Sequence, residues 1–396
     1  MLEKTTFQNI SKMLSKPVVL FGSGIVASKT IQKLDKTSIA FIVDNAFVEQ
    51  GKIYEGLDVK SPTSLTDEYF IIICSSGLSE ISQQLNNMGF EDNVDFVMSP
   101  ILNDLILINN LEELEQTLFF TCGGAENQDK LSGGGLYKCD IKGTNIKVVK
   151  IHSGACYGIT KYNDRLIFID TNKGVFEYKN NSAKKIAELP LGARAHGISY
   201  SKKRNSFYVA CTNLDAVLEF DYNFSLLRTF NLSSKFNSSG KTAHHCNDLH
   251  IIDDSCFVTM FSSTGNWKND CFDGCIAEFD LETGQRLNDL IEGLYMPHNV
   301  SKFDGSIHVL DSLPGHLRFN NLSIQGTFPA FTRGLSYDKG YYFIGQSKNR
   351  NHSKVMGLSN NISIDCGIVI FDAELNVSRF VQLPYSIGQI HHIMCA

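Results

Sequence analysis

Short β-rich segments recur at even spacing from about residue 118 to the C-terminus, and this repeat limits the possible folds more than any other feature. The segments are four to eight residues long, are bounded by Gly, Asn, Asp or Ser, and read RLIFIDT, GVFEYKN, SFYVACT, AVLEFDY, CFVTMF, GCIAEFD, SIHVLDS, YYFIGQS and CGIVIFD. Runs of this length between turn residues are typical of strands. Their regular recurrence predicts an all-β architecture built from similar units.

A four-residue pattern marks the start of each unit. Its third residue is β-branched or Leu, its fourth is Ser, Thr or His, and its second is small or polar, with Gln389 the largest. The first positions are Tyr157, His196, Asn247, His298, Arg333 and Gly388, which are separated by 39, 51, 51, 35 and 55 residues. These separations are the lengths of four-stranded propeller blades, so each pattern is predicted to begin the inner strand of one blade.

The two ends of this region predict how the propeller closes. The C-terminal stretch IGQIHHIMCA has the character of an inner strand, whereas LFFTCGG, GGLYKCDI and IKVVKI near residue 120 lack an inner partner. Together they complete one blade, and closure removes sheet edges that would otherwise invite aggregation. We therefore predict a six-bladed β-propeller over residues 118–396, closed by the C-terminal strand.

The first hundred residues have a different pattern. PVVLFGSG, SIAFIVDN and EYFIIICSS read as buried strands alternating with helices, which predicts a Rossmann-like α/β domain over residues 1–100 and a helical linker over 101–117. Gly22, Gly24 and Asp44 are the candidate cofactor-binding residues for a nucleotide. Because Ala27 stands where a third glycine would complete the fingerprint, a scaffold domain without a ligand is the alternative.

The first-position residues predict a site. The residue that enters each inner strand lies at the mouth of the central channel, and burying several polar groups there is costly unless they are paired or coordinate something. We predict that His196 and His298, with His245 as third ligand, hold a divalent metal, zinc or iron. Asn247 is the alternative to His245 as the third metal ligand. The alternative is that these histidines only hydrogen-bond neighbouring blades.

The remaining candidates have roles around this metal. Arg333 is predicted to bind an acidic group of the substrate and Tyr157 to transfer a proton, so these two are the candidate catalytic residues. Candidate substrate-binding residues are Asn247, Trp267 and Asp311, with Trp267 either an aromatic platform or a packing plug. His250 occupies a repeat position and is expected to be a hydrogen-bonded inner-strand residue.

Composition excludes several classes of partner. A net charge of -6 without a basic block argues against nucleic acid or an anionic membrane, and no apolar run reaches the roughly 20 residues that span a bilayer. The first 16 residues lack the apolar core of a signal peptide, and the 11 cysteines are scattered rather than paired. We expect a cytoplasmic protein that acts on a small molecule. The sequence does not indicate an oligomeric state.

Several motifs resemble known families. MPHN, VLDSLPG and FTRGLSYDKGYYFIGQSKNR resemble a bacterial propeller family known as a domain of unknown function, over most of residues 118–396, and no activity comes with that resemblance. FGSG and FIVDN resemble the small Rossmann-like N-terminal domains of bacterial sugar-modifying enzymes. The ring of His, Tyr and Arg is similar to the zinc lyase that completes peptide amidation, and the fold is similar to calcium-dependent gluconolactonases, whose metal set only Asn247 resembles.

Two functions follow from these interpretations. The first is a metal-dependent lyase, hydrolase or isomerase for a small anionic or sugar-linked substrate. The second is a propeller that binds a glycan or protein without catalysis and is tethered by the N-terminal domain.

Overall fold

The structure is a computed structural model, and it describes residues 2–46, 52–125, 131–235, 241–269, 271–319, 323–348, 362–384 and 386–396, without the side chains of residues 105 and 106. Contacts divide the chain into two compact units, Met1–Glu112 and Glu113–Ala396. Within the described residues, no helix combines the length and apolar character needed to cross a bilayer.

The N-terminal unit contains a mixed six-stranded sheet and few helices. Its strands are β1 (Val18–Phe21), β2 (Ile39–Val43), β3 (Ile53–Tyr54), β4 (Leu57–Lys60), β5 (Phe70–Ile73) and β6 (Phe96–Met98), in the order β3-β4-β2-β1-β5-β6. Its helices are α1 (Phe7–Met13), α2 (Ile25–Ile31), α3 (Leu78–Asn87) and α4 (Asn103–Glu112). All strand pairs are parallel except the β3–β4 hairpin. The central strands β1 and β5 are buried along their whole length, as parallel strands covered on both faces should be.

The C-terminal unit is a β-propeller of six four-stranded sheets, which confirms the predicted architecture. Blade 1 contains β10 (Cys156–Tyr162), β11 (Arg165–Asp170), β12 (Gly174–Lys179) and β13 (Ser182–Ala187). Blade 2 contains β14 (Ala195–Ser201), β15 (Ser206–Cys211), β16 (Ala216–Asp221) and β17 (Leu226–Asn231). Blade 3 contains β18 (Cys246–Ile252), β19 (Ser255–Met260), β20 (Gly274–Asp280) and β21 (Arg286–Leu294).

The remaining blades have the same strand order. Blade 4 contains β22 (His298–Phe303), β23 (Ser306–Asp311), β24 (His316–Phe319) and β25 (Ser323–Thr327). Blade 5 contains β26 (Phe331–Asp338), β27 (Tyr341–Ser347), β28 (Gly367–Asp372) and β29 (Val377–Gln382). Blade 6 joins the C-terminal strand β30 (His392–Cys395) to β7 (Glu115–Cys122), β8 (Gly135–Lys142) and β9 (Asn145–Ser153), which is the predicted closure.

The apolar core lies between neighbouring blades. Tyr208 of blade 2 packs in one cluster with Val258 of blade 3, and Leu310 of blade 4 packs with Ile344 of blade 5. Each sheet therefore buries both faces against its neighbours, while its inner strand faces the central channel.

Candidate functional site

The inner strands turn polar side chains into the channel through a shared irregularity. In each of blades 1 to 5 the pairing of the first and second strands shifts register close to the first-position residue, for example between Cys156 and Ile159 and between Ala195 and Ile198. A bulge of this kind redirects side chains and is common next to functional sites. Tyr157 and His196 lie inside these bulges.

Blade 6 corrects one position of the predicted ring. His392 pairs with Thr121 of β7, and the backbone N–H of His391 donates to the Thr121 carbonyl at 2.9 Å. The first position of this blade is therefore His391, not Gly388. The reason is tertiary, since Gly388 belongs to a loop whose carbonyl accepts from the backbone N–H of Lys348 at 3.0 Å.

Planar side chains form a closed circle at the channel mouth. Tyr157 lies between two imidazoles, with ring centroids 4.3 Å from His196 and 4.2 Å from His391. His196 is 6.2 Å from His245, which stacks on Phe261 at 4.2 Å. Half of the circle is thus a continuous series of aromatic and imidazole rings.

The other half of the circle ends in a guanidinium. Phe261 contacts His298 at 5.3 Å, and His298 contacts Phe331 at 5.5 Å. The Arg333 guanidinium lies 4.5 Å above the Phe331 ring, and its Nη1 is 3.4 Å from Nε2 of His391, which closes the circle. Arg333 is only 7% exposed, so its positive charge is held within the mouth.

Three imidazoles of the mouth, those of His196, His245 and His298, are neutral at physiological pH. Burial lowers the pKa of His196 and His298 well below the ordinary value of 6.5, and nearby cationic groups, including Arg333, add to this effect. Burial, followed by the charges of Arg194 and Arg333, lowers the pKa of His245 to about 3. Each ring therefore offers an unprotonated nitrogen to a ligand.

The two central histidines have different nitrogen partners. Nδ1 of His298 lies 3.0 Å from the Met296 carbonyl, which can only accept, so Nδ1 carries the proton and Nε2 carries a lone pair. Ser312 Oγ lies 2.8 Å from the same Nδ1. Nε2 of His196 is buried and has no hydrogen-bond partner among the residues that the structure describes. A buried nitrogen in this state is costly unless something binds it.

The cavity inside the ring is very small. It is lined by Tyr157, Gly158, His196, Asn247, Asp248, His298, Asn299, His391 and His392, and its volume of about 10 Å³ has room for one water or ion. A larger ligand must therefore bind above the ring, with only one atom or ion reaching inside.

The predicted third ligands have different surroundings. His245 has a left-handed backbone (φ 53°), and Phe261 contacts both its ring and that of His298. Asn247 uses both ends of its amide, because Nδ2 donates to the Pro297 carbonyl at 2.9 Å and Oδ1 accepts from Thr259. Asn247 therefore connects the inner strand of blade 3 to the residue that precedes the inner strand of blade 4, and both ends of its amide are already used.

A second polar layer, which was not predicted from the sequence, lies at the second position of the repeat. Asp248 Oδ2 accepts from Asn299 Nδ2 at 2.9 Å, and Nδ1 of His392 lies 4.0 Å from the same oxygen. Oδ1 of Asp248 is buried and has no partner in the described part of the chain, and burial raises the pKa of this carboxyl to about 7. The sequence contains an indication of this layer, because Asp248 and Asn299 replace the glycine found at the second position in blades 1, 2 and 5.

Four predicted residues of the propeller do not line this cavity, namely His245, Trp267, Asp311 and Arg333. Trp267, in a short turn at Trp267–Asn269, packs edge-on against His245 with centroids 4.8 Å apart, outside the cavity lining. Asp311 is fully buried and does not line the cavity either. Its Oδ2 accepts from Arg318 Nε at 2.9 Å and its Oδ1 from the Tyr295 backbone at 2.6 Å, so it clamps blade 4.

A compact set of metal-ligating side chains lies elsewhere. Within the described residues, His152, Cys156 and Asp170 each offer a ligand atom, and these three atoms lie within 4.8 Å of one another. The predicted trio His196, His245 and His298 does not form such a compact set in this part of the chain.

The N-terminal candidates line a separate cavity of about 350 Å³ at the carboxyl ends of β1, β2 and β5. Gly22 and Gly24 form one side of it and Asp44 another. Oδ2 of Asp44 already accepts from the backbone N–H of Ser23 at 2.7 Å and from its hydroxyl at 2.5 Å. The carboxylate is thus partly engaged by the glycine loop itself.

Comparisons with known proteins show a family and a fold. A family model described as a domain of unknown function, DUF4915, matches residues 189–395, just over half of the chain. No curated protein matches the sequence.

Among solved structures, a chain of the nidogen/laminin complex is 10% identical over 71% of this chain and 97% of that one, with a TM-score of 0.50. A protein of unknown function from Bacteroides caccae is 14% identical over 71% and 98%, with a TM-score of 0.47. A gluconolactonase from Xanthomonas campestris is 12% identical over 69% and 89%, with a TM-score of 0.44. At such identities the likeness concerns the fold alone.

Proposed function

The chain belongs to the DUF4915 family of domains of unknown function, and because no activity comes with that membership, we propose from the channel mouth that the propeller is a metal-dependent enzyme. Its substrate is a small anion, and the reaction is of the lyase, hydrolase or isomerase type. The observation that carries the proposal is an ion-sized cavity lined by both His196, whose Nε2 has no hydrogen-bond partner among the described residues, and His298, whose Nε2 carries a lone pair.

His298 has the surroundings of a metal ligand. Histidines that bind metals usually donate their other ring N–H to a carbonyl or carboxylate, which fixes the tautomer and the ring orientation. The Nδ1–H of His298 donates to the Met296 carbonyl in this way. His196 and His298 would hold the ion, with His245 as third ligand. A divalent ion there would supply Lewis-acid polarisation of a carbonyl group.

The fit is incomplete at the third ligand. Phe261 lies against both His245 and His298, and the three imidazoles are not within the compact spacing of a preformed site. Metal binding at these residues therefore requires His245 to turn away from Phe261. This is a testable cost of the proposal, because a smaller residue at 261 would ease that movement.

Arg333 gives the mouth its preference for anions. The imidazoles of His196, His245 and His298 are neutral, whereas the guanidinium carries a fixed positive charge. Guanidinium groups bind carboxylates and phosphates with two parallel hydrogen bonds. The small cavity places the body of the substrate above the ring. Tyr157 lies between the rings of His196 and His391, and we propose that its hydroxyl donates or accepts the proton in the reaction.

The test is the metal content of protein purified without chelators or an affinity metal resin. His196→Ala and His298→Ala should each lose about one equivalent of metal. His308→Ala is the matched control, because His308 is also buried but both of its nitrogens have partners, the Ser306 carbonyl and the Tyr342 hydroxyl. Wild-type protein that binds no metal after supplementation, or His196 and His298 variants that keep it, would refute the proposal.

A binding module is the second candidate, and the closed circle of planar side chains favours it. Aromatic faces at a funnel mouth suit sugar rings or other planar ligands without any chemistry. Trp267 lies beside His245, so its fluorescence would report a ligand at the mouth. Saturable quenching by a glycan, in protein without metal and without turnover, would favour this function over the enzyme.

A separate proposal concerns the N-terminal cavity, which we propose takes a nucleotide or sugar nucleotide. Its place at the carboxyl ends of parallel strands, where the strand order reverses between β1 and β5, supports this. A methyl group at Gly24 would meet none of the described atoms within 4 Å, so Gly24→Ala should fold normally yet crowd a phosphate. Calorimetric binding by wild type that weakens in Gly24→Ala supports the proposal, and absence of binding leaves a scaffold domain.

A further inference from the structure

A buried side-chain cluster at the junction of blades 6 and 1 is independent of the channel ring. It consists of His152 at the end of β9, Cys156 at the start of β10 and Asp170 at the end of β11. Nε2 of His152 lies 3.0 Å from Oδ2 of Asp170, and Sγ of Cys156 completes a group whose ligand atoms all lie within 4.8 Å of one another. We propose that these three residues form a metal site for a thiophilic divalent ion, zinc being the best match.

The ligand chemistry supports zinc. One thiolate, one imidazole and one carboxylate are all ligands that this borderline-soft ion accepts, and three protein ligands leave a fourth position open. The thiolate and the carboxylate together balance the two positive charges of the ion. Binding replaces the thiol proton of Cys156 with the metal, and the proton passes to solvent.

Neighbouring groups hold the ligands in place. Oδ1 of Asp170 accepts from the backbone N–H groups of Asn172 and Lys173 at 3.1 and 3.2 Å, which leaves Oδ2 directed at His152. The His152 ring packs against Phe176, with centroids 4.4 Å apart. Outer contacts of this kind orient metal ligands and are part of a working site.

Gly154, which lies between His152 and Cys156 in the sequence, is required by the close packing of this cluster. A Cβ atom on Gly154 would lie 1.8 Å from Oδ2 of Asp170 and 3.1 Å from Nε2 of His152. Any side chain at residue 154 would therefore occupy the space between the ligands. The loop from His152 to Cys156 approaches the carboxylate closely only because residue 154 is glycine.

Blade 4 provides an internal comparison. Asp311 ends its second strand at the position that Asp170 holds in blade 1, and its charge is matched by the guanidinium of Arg318. In blade 1 the carboxylate faces an imidazole and a thiol instead. A carboxylate that only stabilises the blade does not need a sulfur atom beside it. The presence of an imidazole and a thiol at Asp170, where Asp311 has a guanidinium, therefore favours a metal site.

Cobalt substitution tests the inference and separates it from the channel metal. Cobalt bound to a thiolate has a charge-transfer absorption in the near ultraviolet, which the all-histidine ring cannot produce. We expect this band in the wild-type protein loaded with cobalt, and in the double variant His196→Ala/His298→Ala. It should disappear in Cys156→Ser and weaken, with at least a tenfold loss of cobalt affinity, in His152→Gln and Asp170→Asn.

Cys139→Ser is the matched control, because Cys139 is a fully buried thiol on β8 of the neighbouring blade. It should keep the band, and circular dichroism should show that each variant retains the β-sheet signal. A wild-type protein without the band after cobalt loading, or a Cys156→Ser variant that keeps it, would overturn the proposal. Should Cys156→Ser fail to fold, the Asp170→Asn and His152→Gln affinities decide the outcome.

Discussion

Asp248→Asn should stabilise the propeller, and the gain should grow with pH. Asp248 is 4% exposed, and no described residue offers a hydrogen-bond partner to its Oδ1. Burial raises the pKa of this carboxyl from an ordinary value of 3.8 to about 7, against the opposing hydrogen bond from Asn299. Asparagine has nearly the same shape and can still accept from Asn299 but never ionises, so the substitution removes the charge alone.

The magnitude follows from linkage between protonation and folding. Because the folded-state pKa lies above the unfolded-state value, the favourable contribution is complete below pH 3.8 and is lost as pH rises toward 7. Each unit of pKa shift corresponds to about 1.4 kcal/mol, so the penalty in wild type reaches about 4 kcal/mol above pH 7. The stability difference between variant and wild type should therefore rise by about 1.4 kcal/mol per pH unit between pH 4 and 7 and then stay constant.

Urea unfolding followed by tryptophan fluorescence measures this difference. Trp267 is the only tryptophan of the chain and lies in the propeller, so its signal reports the unfolding of that unit. Asp254→Asn is the control, because Asp254 is an exposed carboxyl whose pKa is lowered by Lys203 and Arg204, which reverses the pH trend. A difference between Asp248→Asn and wild type that does not change with pH, or that falls as pH rises, would show that Asp248 is ionised and paired in the channel.

Three further predictions concern the ring. A Cβ at residue 197 would lie 2.4 Å from Oδ1 of Asp248 and 2.7 Å from its Cα, so Gly197→Ala should cost about 1–3 kcal/mol in chemical unfolding. Gly388→Ala, where the nearest atom of the described residues is 3.6 Å away, should change stability by less than about 0.5 kcal/mol, and equal effects would contradict the corrected register. His250→Ala should keep its metal in elemental analysis while its melting temperature falls, and loss of metal would place His250 among the ligands. Arg333→Lys should weaken calorimetric binding of phosphate or small carboxylates roughly ten- to a hundredfold, since it loses the forked donors. Unchanged binding, or unfolding of Arg333→Ala, would make Arg333 a clamp between blades.

Local periodicity was enough to predict the propeller, because each blade repeats the same alternation of strand and turn residues. The segments RLIFIDT and AVLEFDY contain the strands β11 and β16, and the partnerless strands near residue 120 pair with the C-terminal strand as predicted. The first position of blades 1 to 5 was also readable, since the β-branched or Leu residue two places later is buried between blades, as at Ile159 and Ile198.

The sixth position was decided only when the ring closed. The segment that begins at Gly388 fits the repeat, whereas the one that begins at His391 has Met394 at the fourth position. Only the pairing of His392 with Thr121, more than 270 residues earlier in the chain, selects His391. No local pattern contains information about a partner so distant in sequence. The same holds for His152, Cys156 and Asp170, which three separate strands bring together.

The sequence by itself therefore determined the strands, their order and the residue types at the channel mouth, because these depend on spacing along the chain. Only the tertiary structure decided which of those residues contact each other and what protonation state each of them has. Both ends of the Asn247 amide are used, by Pro297 and Thr259 of the folded propeller, and the Asp248 carboxyl has a pKa of about 7 because neighbouring blades remove it from water. Burial and long-range pairing set these properties, and both exist only after the six blades have closed.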